Sequence, residues 1–204
     1  DAIRPSVGFA ALKLLQDGKP CRVMLKDIAA EDLKILQGLN LLTAHPVLYV
    51  CNVAEADAAT GNEHTRKVEE MAKTQGASTV IISAAIEAEV AQLPDEEAAE
   101  YLEAMGLHEP GLDRLIRAGY ELLHLITYFT AGPKEARAWT VSEGARAPQA
   151  AGVIHTDFER GFIRAEIYSV SDLEKFKTEK AIRDAGKLRV EGKVNFLLLA
   201  AILA

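Results

Sequence analysis

Two short segments, Val47–Cys51 and Ala77–Ser83, are apolar without alternation, and a stretch with helical amphipathicity, Glu63–Gln75, lies between them. Strands that bury one face alternate apolar and polar residues; runs without alternation are covered on both faces, as in parallel α/β sheets. The intervening stretch is closed by Gly76, the residue type that most readily ends a helix in the left-handed conformation. Strand, helix and strand in this order read as a βαβ unit of a parallel sheet. The fold class of the first part of the chain is therefore α/β. Ligands of such sheets collect beyond the carboxyl ends of the strands, which directs attention to Asn52-Val53-Ala54-Glu55 and Ser83-Ala84-Ala85.

The flanking sequence divides into two characters. Residues 8–16 and 30–41 have helical spacing, the second with Leu33, Leu36 and Leu39 on or near one face. Further helices are expected at 86–92, 95–105 and 111–123; the middle one opens with Pro94 and a run of acids suited to the positive end of a helix dipole. From Leu125 onward, "LITYFTA", "EARAWTV" and "GFIRAEIYS" are β-rich and alternate, with "APQAAGVIH" as a short helix between the second and third. A boundary is expected at residues 122–125. Charge divides similarly: residues 1–120 carry 11 Lys and Arg against 19 Asp and Glu, residues 121–204 carry 12 against 11. Neither half is basic enough to argue nucleic-acid binding from charge alone. The two cysteines, Cys21 and Cys51, make no disulfide framework or zinc spacing, which fits a reducing cytosol. The longest apolar run, Phe196–Ala204, has nine residues, against roughly 20 needed to span a bilayer. No membrane and no DNA partner is expected.

The strand ends carry polar side chains with a specific chemistry. An Asn amide offers donors and an acceptor and can read the edge of a heterocycle, while a carboxylate three residues on accepts from an exocyclic amine. An N-x-x-acid and an S-A-x on consecutive strands form the base-reading half of a P-loop GTPase-type domain. Guanine readers of that class use N-K-x-D. Here Val53 replaces the Lys and Glu55 the Asp, and the added methylene moves the carboxylate out of register with the paired guanine donors. Adenine presents one amine and a ring acceptor, which the Asn52 amide can satisfy, so ATP is expected over GTP. The bland alternative is that Asn52 forms a turn and Glu55 is a solvated loop acid.

"LLTAHPVLYVCNVAE", "SAAIEAE", "GLDRLIRAGYELLHLITYFTAGPKEARAWTV" and "APQAAGVIHTDFERGFIRAE" closely resemble the Obg-like ATPases of the YchF subgroup, from about Leu41 to Gly192. The resemblance implies a P-loop nucleotide-binding domain interrupted by a helical coiled-coil insertion and followed by a TGS domain of ubiquitin-like β-grasp fold. It implies ATP hydrolysis with weaker use of GTP, association with the ribosome or with large-subunit RNA or protein through the TGS domain, and a cytoplasmic location. Residues 1–40 then match the end of the insertion and the return to the nucleotide domain, 41–122 the C-terminal part of that domain, and 123–204 the TGS domain. Asn52 and Glu55 match the family's altered base-specificity motif, Val53 the residue beside the base, and Ser83, Ala84 and Ala85 the loop that closes over it. No G-x-x-x-x-G-K-[ST] occurs; the phosphate-binding half is expected before Asp1, and Mg²⁺ in the parent protein through residues outside this chain. The chain alone is therefore not expected to hydrolyse ATP, and no catalytic or metal residue is assigned within it. Near the C-terminus "EGK" leads into "VNFLLLAAILA" where the family has a D-G-D turn, so the last strands of the TGS sheet depart from the pattern.

Other constellations are weaker. His155, Asp157 and Glu159 lack a fourth metal ligand and helical ligand spacing, so a loop or turn role is expected. Ser83, His124 and Asp157 have no nucleophile-elbow context. Glu87 and Glu89 read as helix-start charges rather than catalytic carboxylates. Cys51 reads as a small buried residue, with a redox-sensitive thiol as the alternative. Arg137, Arg146, Arg160 and Arg164, interleaved with Tyr128, Phe129, Trp139, Phe158 and Phe162, read either as core aromatics with surface arginines or as an RNA contact. Two functional alternatives stand beside the ATPase: an RNA- or protein-binding TGS module on a non-catalytic nucleotide-fold scaffold, and a partner-binding fragment using the acidic helices 86–105.

Overall fold

The computed structural model describes residues 6–132 and 135–193 and the backbone of 201–203. The chain divides into two compact units, Asp1–Leu122 and Leu123–Ala204.

The first unit begins with α1 (Val7–Gln16), a 3-10 turn at Cys21–Met24 and α2 (Ala30–Gly38). Val7, Ala11, Cys21 and Leu36 form a small core between them. The second helix is three residues shorter than its apolar spacing suggests. Asn40 takes a left-handed φ of 48° just beyond its end, and Leu36 is buried while Leu39 is exposed.

β1 (Leu48–Asn52) and β2 (Ser78–Ile82) then pair in parallel, from Leu48 opposite Ser78 to Asn52 opposite Ile82. The connecting α3 (Glu63–Gln75) starts with a reciprocal cap. Asn62 Oδ1 accepts from the backbone N of His64 and Thr65, and Thr65 Oγ1 accepts from Asn62 N at 2.9 Å. Gly76 ends it with φ 64°, the left-handed position for which a side chain is disfavoured. A buried Arg22 ties these pieces together: its Nη2 donates to Gln75 Oε1 at 3.1 Å, to which Tyr49 Oη also donates at 2.9 Å.

α4 (Ala84–Val90), α5 (Asp95–Ala104) and α6 (Gly111–Leu122) follow. A Cβ on Gly61, before α3, would lie 2.8 Å from Ile81; one on Gly111, at the start of α6, would lie 3.2 Å from Ile82. Adjacent strand residues point to opposite faces, so α3 and α6 cover opposite faces of the pair, as the missing alternation requires. The cover is incomplete: among the described residues the sheet has two strands, and Val50 is 44% exposed.

Among the described residues the second unit holds a five-stranded sheet in the order β4 (Ala136–Ser142), β3 (Leu125–Ala131), β7 (Ala201–Leu203), β5 (Ala165–Ser169) and β6 (Arg189–Glu191). β3 and β4 pair antiparallel, and β7 lies parallel to β3 and antiparallel to β5. The apolar tail therefore contributes a central strand; residues 194–200 and 204 lie outside the described residues. α7 (Ala147–Ile154) and α8 (Thr156–Gly161) form a tight pair. Alternation in β3 turns Ile126 and Tyr128 inward, where they meet Val141, Ile167, Phe162 and the small face Ala147, Ala150 and Ala151 of α7. The fully buried Tyr128 donates its hydroxyl to Ala150 O at 2.7 Å. A second cluster, Tyr168 and Ile182 with Leu173 and Phe176, is built with α9 (Val170–Phe176) and α10 (Glu179–Asp184); β6 (Arg189–Glu191) closes the sheet edge beside β5.

Candidate functional site

The two strand ends of the first unit meet through one side chain. Asn52, the last residue of β1, accepts on Oδ1 from the backbone N of Ala84 at 3.0 Å, immediately beyond β2. Val53 N extends the ladder by donating to Ile82 O at 2.9 Å. One lone pair of the Asn52 carbonyl is thus engaged, leaving the second and both amide hydrogens for another group. Asn52, Glu55, Ala84 and Ala85 are all exposed and form the rim, Glu55 opening a 3-10 turn at Glu55–Asp57.

Val53 and Ser83 are different. Val53 is half-buried and packs on the cluster of Ala58, Ile86, Leu102 and Leu107. Ser83 is buried, and its hydroxyl has no hydrogen-bond partner among the described residues. A cavity of about 350 Å³ touches Asn52 and Val53 together with Asn62, His64 and Thr65 of the α3 entry; Glu55 and Ser83–Ala85 do not line it. The structure therefore brings Asn52 and the Ser83–Ala85 loop together directly and places Glu55 separately on the adjoining turn.

Behind the rim, Tyr101 of α5 packs on the same cluster as Val53 and donates its hydroxyl to Glu89. That bond, with the negative charges of Glu89 and Glu55 nearby, pushes the phenol up to about 12. Tyr101 was not singled out by the sequence, because no strand-end pattern includes α5. Glu87 caps α6, accepting from Gly111 N at 2.7 Å and Leu112 N at 3.1 Å. Both Glu87 and Glu89 thus serve structural contacts. Cys51 lies on the face turned to α3. Burial, and then the Glu69 carboxylate, push its thiol up, away from the reactive thiolate.

In the second unit, "HTDFERGF" is a short helix rather than a loop: His155 Nδ1 caps α8 by accepting from Asp157 N at 3.2 Å, and the short side chains of α7 let Glu159 lie against Gly152. Among the described residues no three His, Cys, Asp or Glu side chains converge as metal ligands. The aromatic and basic residues separate. Tyr128 and Phe162 are core, Phe129 and Phe158 are exposed, and Arg137 stacks 4.1 Å above the half-buried Trp139, whose Nε1 donates to Thr130 Oγ1. No helix among the described residues is long and apolar enough to cross a membrane.

Comparison with known proteins gives this geometry a context. Residues 125–198 match the YchF-GTPase C-terminal family, described as a protein of unknown function (DUF933). The chain is 51% identical over 172 residues to the ribosome-binding ATPase YchF of Haemophilus ducreyi, covering 83% of this chain and 47% of that protein. It is 53% identical over 163 residues to the ribosome-binding ATPase YchF of Haemophilus influenzae, covering 80% and 45%. The solved YchF GTPase of Schizosaccharomyces pombe superposes with a TM-score of 0.84 at 35% identity, covering 97% of this chain and 53% of that one. The chain belongs to the YchF subgroup of the Obg-like ATPase family. It spans about half the length of the curated YchF relatives it matches. The YchF likeness covers both units, including the rim beyond β1 and β2.

Proposed function

We propose that this chain supplies the base-reading half and the TGS domain of a ribosome-associated, ATP-hydrolysing P-loop protein. The observation that carries the reading is the Asn52 Oδ1 to Ala84 N bond, which holds the two strand ends at one exposed rim with Glu55 on the next turn. In this reading Asn52 Nδ2 donates to a ring nitrogen of adenine, and Glu55 or the remaining Asn52 lone pair accepts from the exocyclic amine. Val53 forms the floor beside the ring, and Ser83, Ala84 and Ala85 form the loop that closes over it. Glu55 in place of an aspartate favours ATP over GTP, because the longer side chain does not present both oxygens to the paired guanine donors. The residues at the rim suit a base; none of them suits Mg²⁺ or a triphosphate, and that chemistry belongs to the parent protein outside this chain. The chain alone binds without hydrolysing.

The names of the relatives support the ATPase and ribosome parts of the reading. The central position of β7 in the second sheet, with helix α7 against the core, supports the β-grasp assignment for residues 123–204. The test is calorimetric titration of ATP and GTP into this chain and into its longer parent. Asn52→Ala is expected to weaken ATP binding by about tenfold, and Glu55→Asp to shift preference toward GTP. Unchanged preference in Glu55→Asp removes Glu55 from base reading; ATP affinity unaffected in both variants removes the site. Release of phosphate by the 204-residue chain would contradict its assignment as non-hydrolysing. A second reading, an RNA-contacting module in the second unit, is favoured by the exposed Phe158 beside His155 and by exposed Arg160 and Arg164. Co-sedimentation of the chain and of Phe158→Ala with ribosomes tests it.

A further inference from the structure

The segment between Lys73 and Arg114 contains nine acids and no Lys or Arg. Three of the nine are committed within the fold: Glu87 caps α6, Glu89 holds Tyr101, and Glu109 pairs with Arg117. The five acids of α5, namely Asp95, Glu96, Glu97, Glu100 and Glu103, are exposed, and none has a cationic partner among the described residues. A stretch so unbalanced keeps an uncompensated negative potential at one place on the surface.

That potential lies over an apolar groove of about 450 Å³, whose walls are Val90, Leu93, Ala98, Leu102, Leu107 and Pro110. Two of the five acids, Asp95 and Glu103, stand in its lining together with the titratable His108; Glu96, Glu97 and Glu100 do not line it. An apolar slot rimmed by a few polar groups is the form of a recognition site, not of a plain solvated face. Acids at the rim reject phosphate backbones and select cations, and the slot accepts hydrocarbon.

We propose that this groove docks a basic, amphipathic protein segment, its leucine-like side chains seated among the end of α4, α5 and the segment leading into α6, and its Lys or Arg side chains paired with Asp95 and Glu103. Such a segment presents apolar anchors on one helical face and cations beside them. The proposal uses neither Asn52 nor Glu55, so its failure and the failure of the base-reading assignment are independent events.

The test is fluorescence anisotropy of the 204-residue chain with a labelled peptide of leucines at helical spacing and lysines between them. The counterpart with glutamates replacing lysines serves as control. The lysine peptide is expected to bind and the glutamate peptide not to. Ala98→Trp, which fills the slot, and the pair Asp95→Asn with Glu103→Gln are each expected to weaken binding by about tenfold or more. The pair Glu97→Gln with Glu100→Gln, which removes the same charge outside the slot, is expected to cost less than about threefold. Circular dichroism checks each fold, and the acid pairs are exposed substitutions that leave the core untouched. Equal weakening by the two acid pairs means charge attraction alone and overturns the docking site. So does absence of binding by the lysine peptide, or cross-linking of a single-stranded RNA oligonucleotide to α5 in place of the peptide. Should Ala98→Trp not fold, the contrast between the two acid pairs decides.

Discussion

The two sheets of this chain are built from similar strands and are held in opposite ways. In Leu123–Ala204, alternation sends Ile126, Tyr128 and Ile167 to one side, where the alanine face of α7 closes over them. In Asp1–Leu122 no residue of β1 or β2 is fully buried. Apart from Ala72 of α3, the buried apolar side chains described there sit instead in two separate small clusters, one around Leu36 and one around Ile86. What orders the strand ends is a set of polar contacts: the Arg22–Gln75–Tyr49 network, the Asn62–Thr65 cap, Asn52 on Ala84 and Glu87 on α6. The strands with the densest core carry no assigned ligand, and the strands with the thin core carry the rim. Hydrogen bonds position groups directionally, whereas apolar burial is roughly proportional to area and has no direction. In the base-reading proposal the rim presents an amide at a defined angle, a task the former serves better.

The sharpest way to break this contrast is to truncate one strand residue in each unit. Ile167→Ala removes a fully buried side chain and is expected to cost about 3 kcal/mol. Val50→Ala removes a half-exposed one and is expected to cost less than about 1 kcal/mol. Urea unfolding followed by Trp139, the chain's single tryptophan, reports the second unit; far-ultraviolet circular dichroism reports the whole. Comparable losses would mean that β1 is supported by packing after all.

The next test removes polar support alone. Glu87→Ala strands the backbone N–H groups of Gly111 and Leu112 and is expected to destabilise α6 by about 1 kcal/mol, with Glu87→Gln retaining part of the cap. Hydrogen exchange of those two amides is the readout. Protection unchanged in Glu87→Ala would show that α6 does not depend on its cap.

These contacts also mark where the sequence stopped being readable. The βαβ unit, Gly76, the acidic start of α5 and the β3–β4 hairpin follow from local pattern, and each lies within a few residues of its expected bounds. α9 and α10 were not anticipated, although Ser169 with Asp172 and Thr178 at the next start are capping signals in plain view. They sit among short charged stretches with little apolar periodicity. The α8 helix lies where a loop or turn role is expected for His155, Asp157 and Glu159, because six residues show no repeat and its cap is a histidine, an uncommon capping residue. The strand-end pairing of Asn52 with Ala84 spans 32 positions; strand order made it reasonable, but no local pattern encodes the bond itself. Tyr101 was invisible for the same reason, since its partners come from α4 and the Glu55 turn.

A smaller effect is expected at Cys51, where burial and Glu69 hold the thiol up. Alkylation at neutral pH is expected to be slow, and Glu69→Gln to speed it, because removing a negative charge favours the thiolate. Peptide mass spectrometry after iodoacetamide resolves Cys51 from Cys21. Fast labelling in the unaltered chain would return the redox reading.

The smallest effect at neutral pH, and the one that separates the two mechanisms most cleanly, is tyrosine ionisation. Tyr101 in the first unit and Tyr128 in the second are both pushed from 10.0 up to about 12, the first chiefly by its hydrogen bond to Glu89 and the second by burial. In each case the folded chain favours the neutral phenol. The contribution to stability is therefore complete below pH 10 and is lost as pH rises toward about 12. Ultraviolet titration of the five tyrosines is expected to show three components above the ordinary range: Tyr101, Tyr128 and Tyr168, the last raised by burial and then by the Glu179 carboxylate. Glu89→Gln should return Tyr101 toward its ordinary range and leave Tyr128 late, since no charge within reach of Tyr128 sets its position. If Glu89→Gln leaves both Tyr101 and Tyr128 late, Tyr101 is held by burial as Tyr128 is, and the polar contact between α4 and α5 does not set its ionisation.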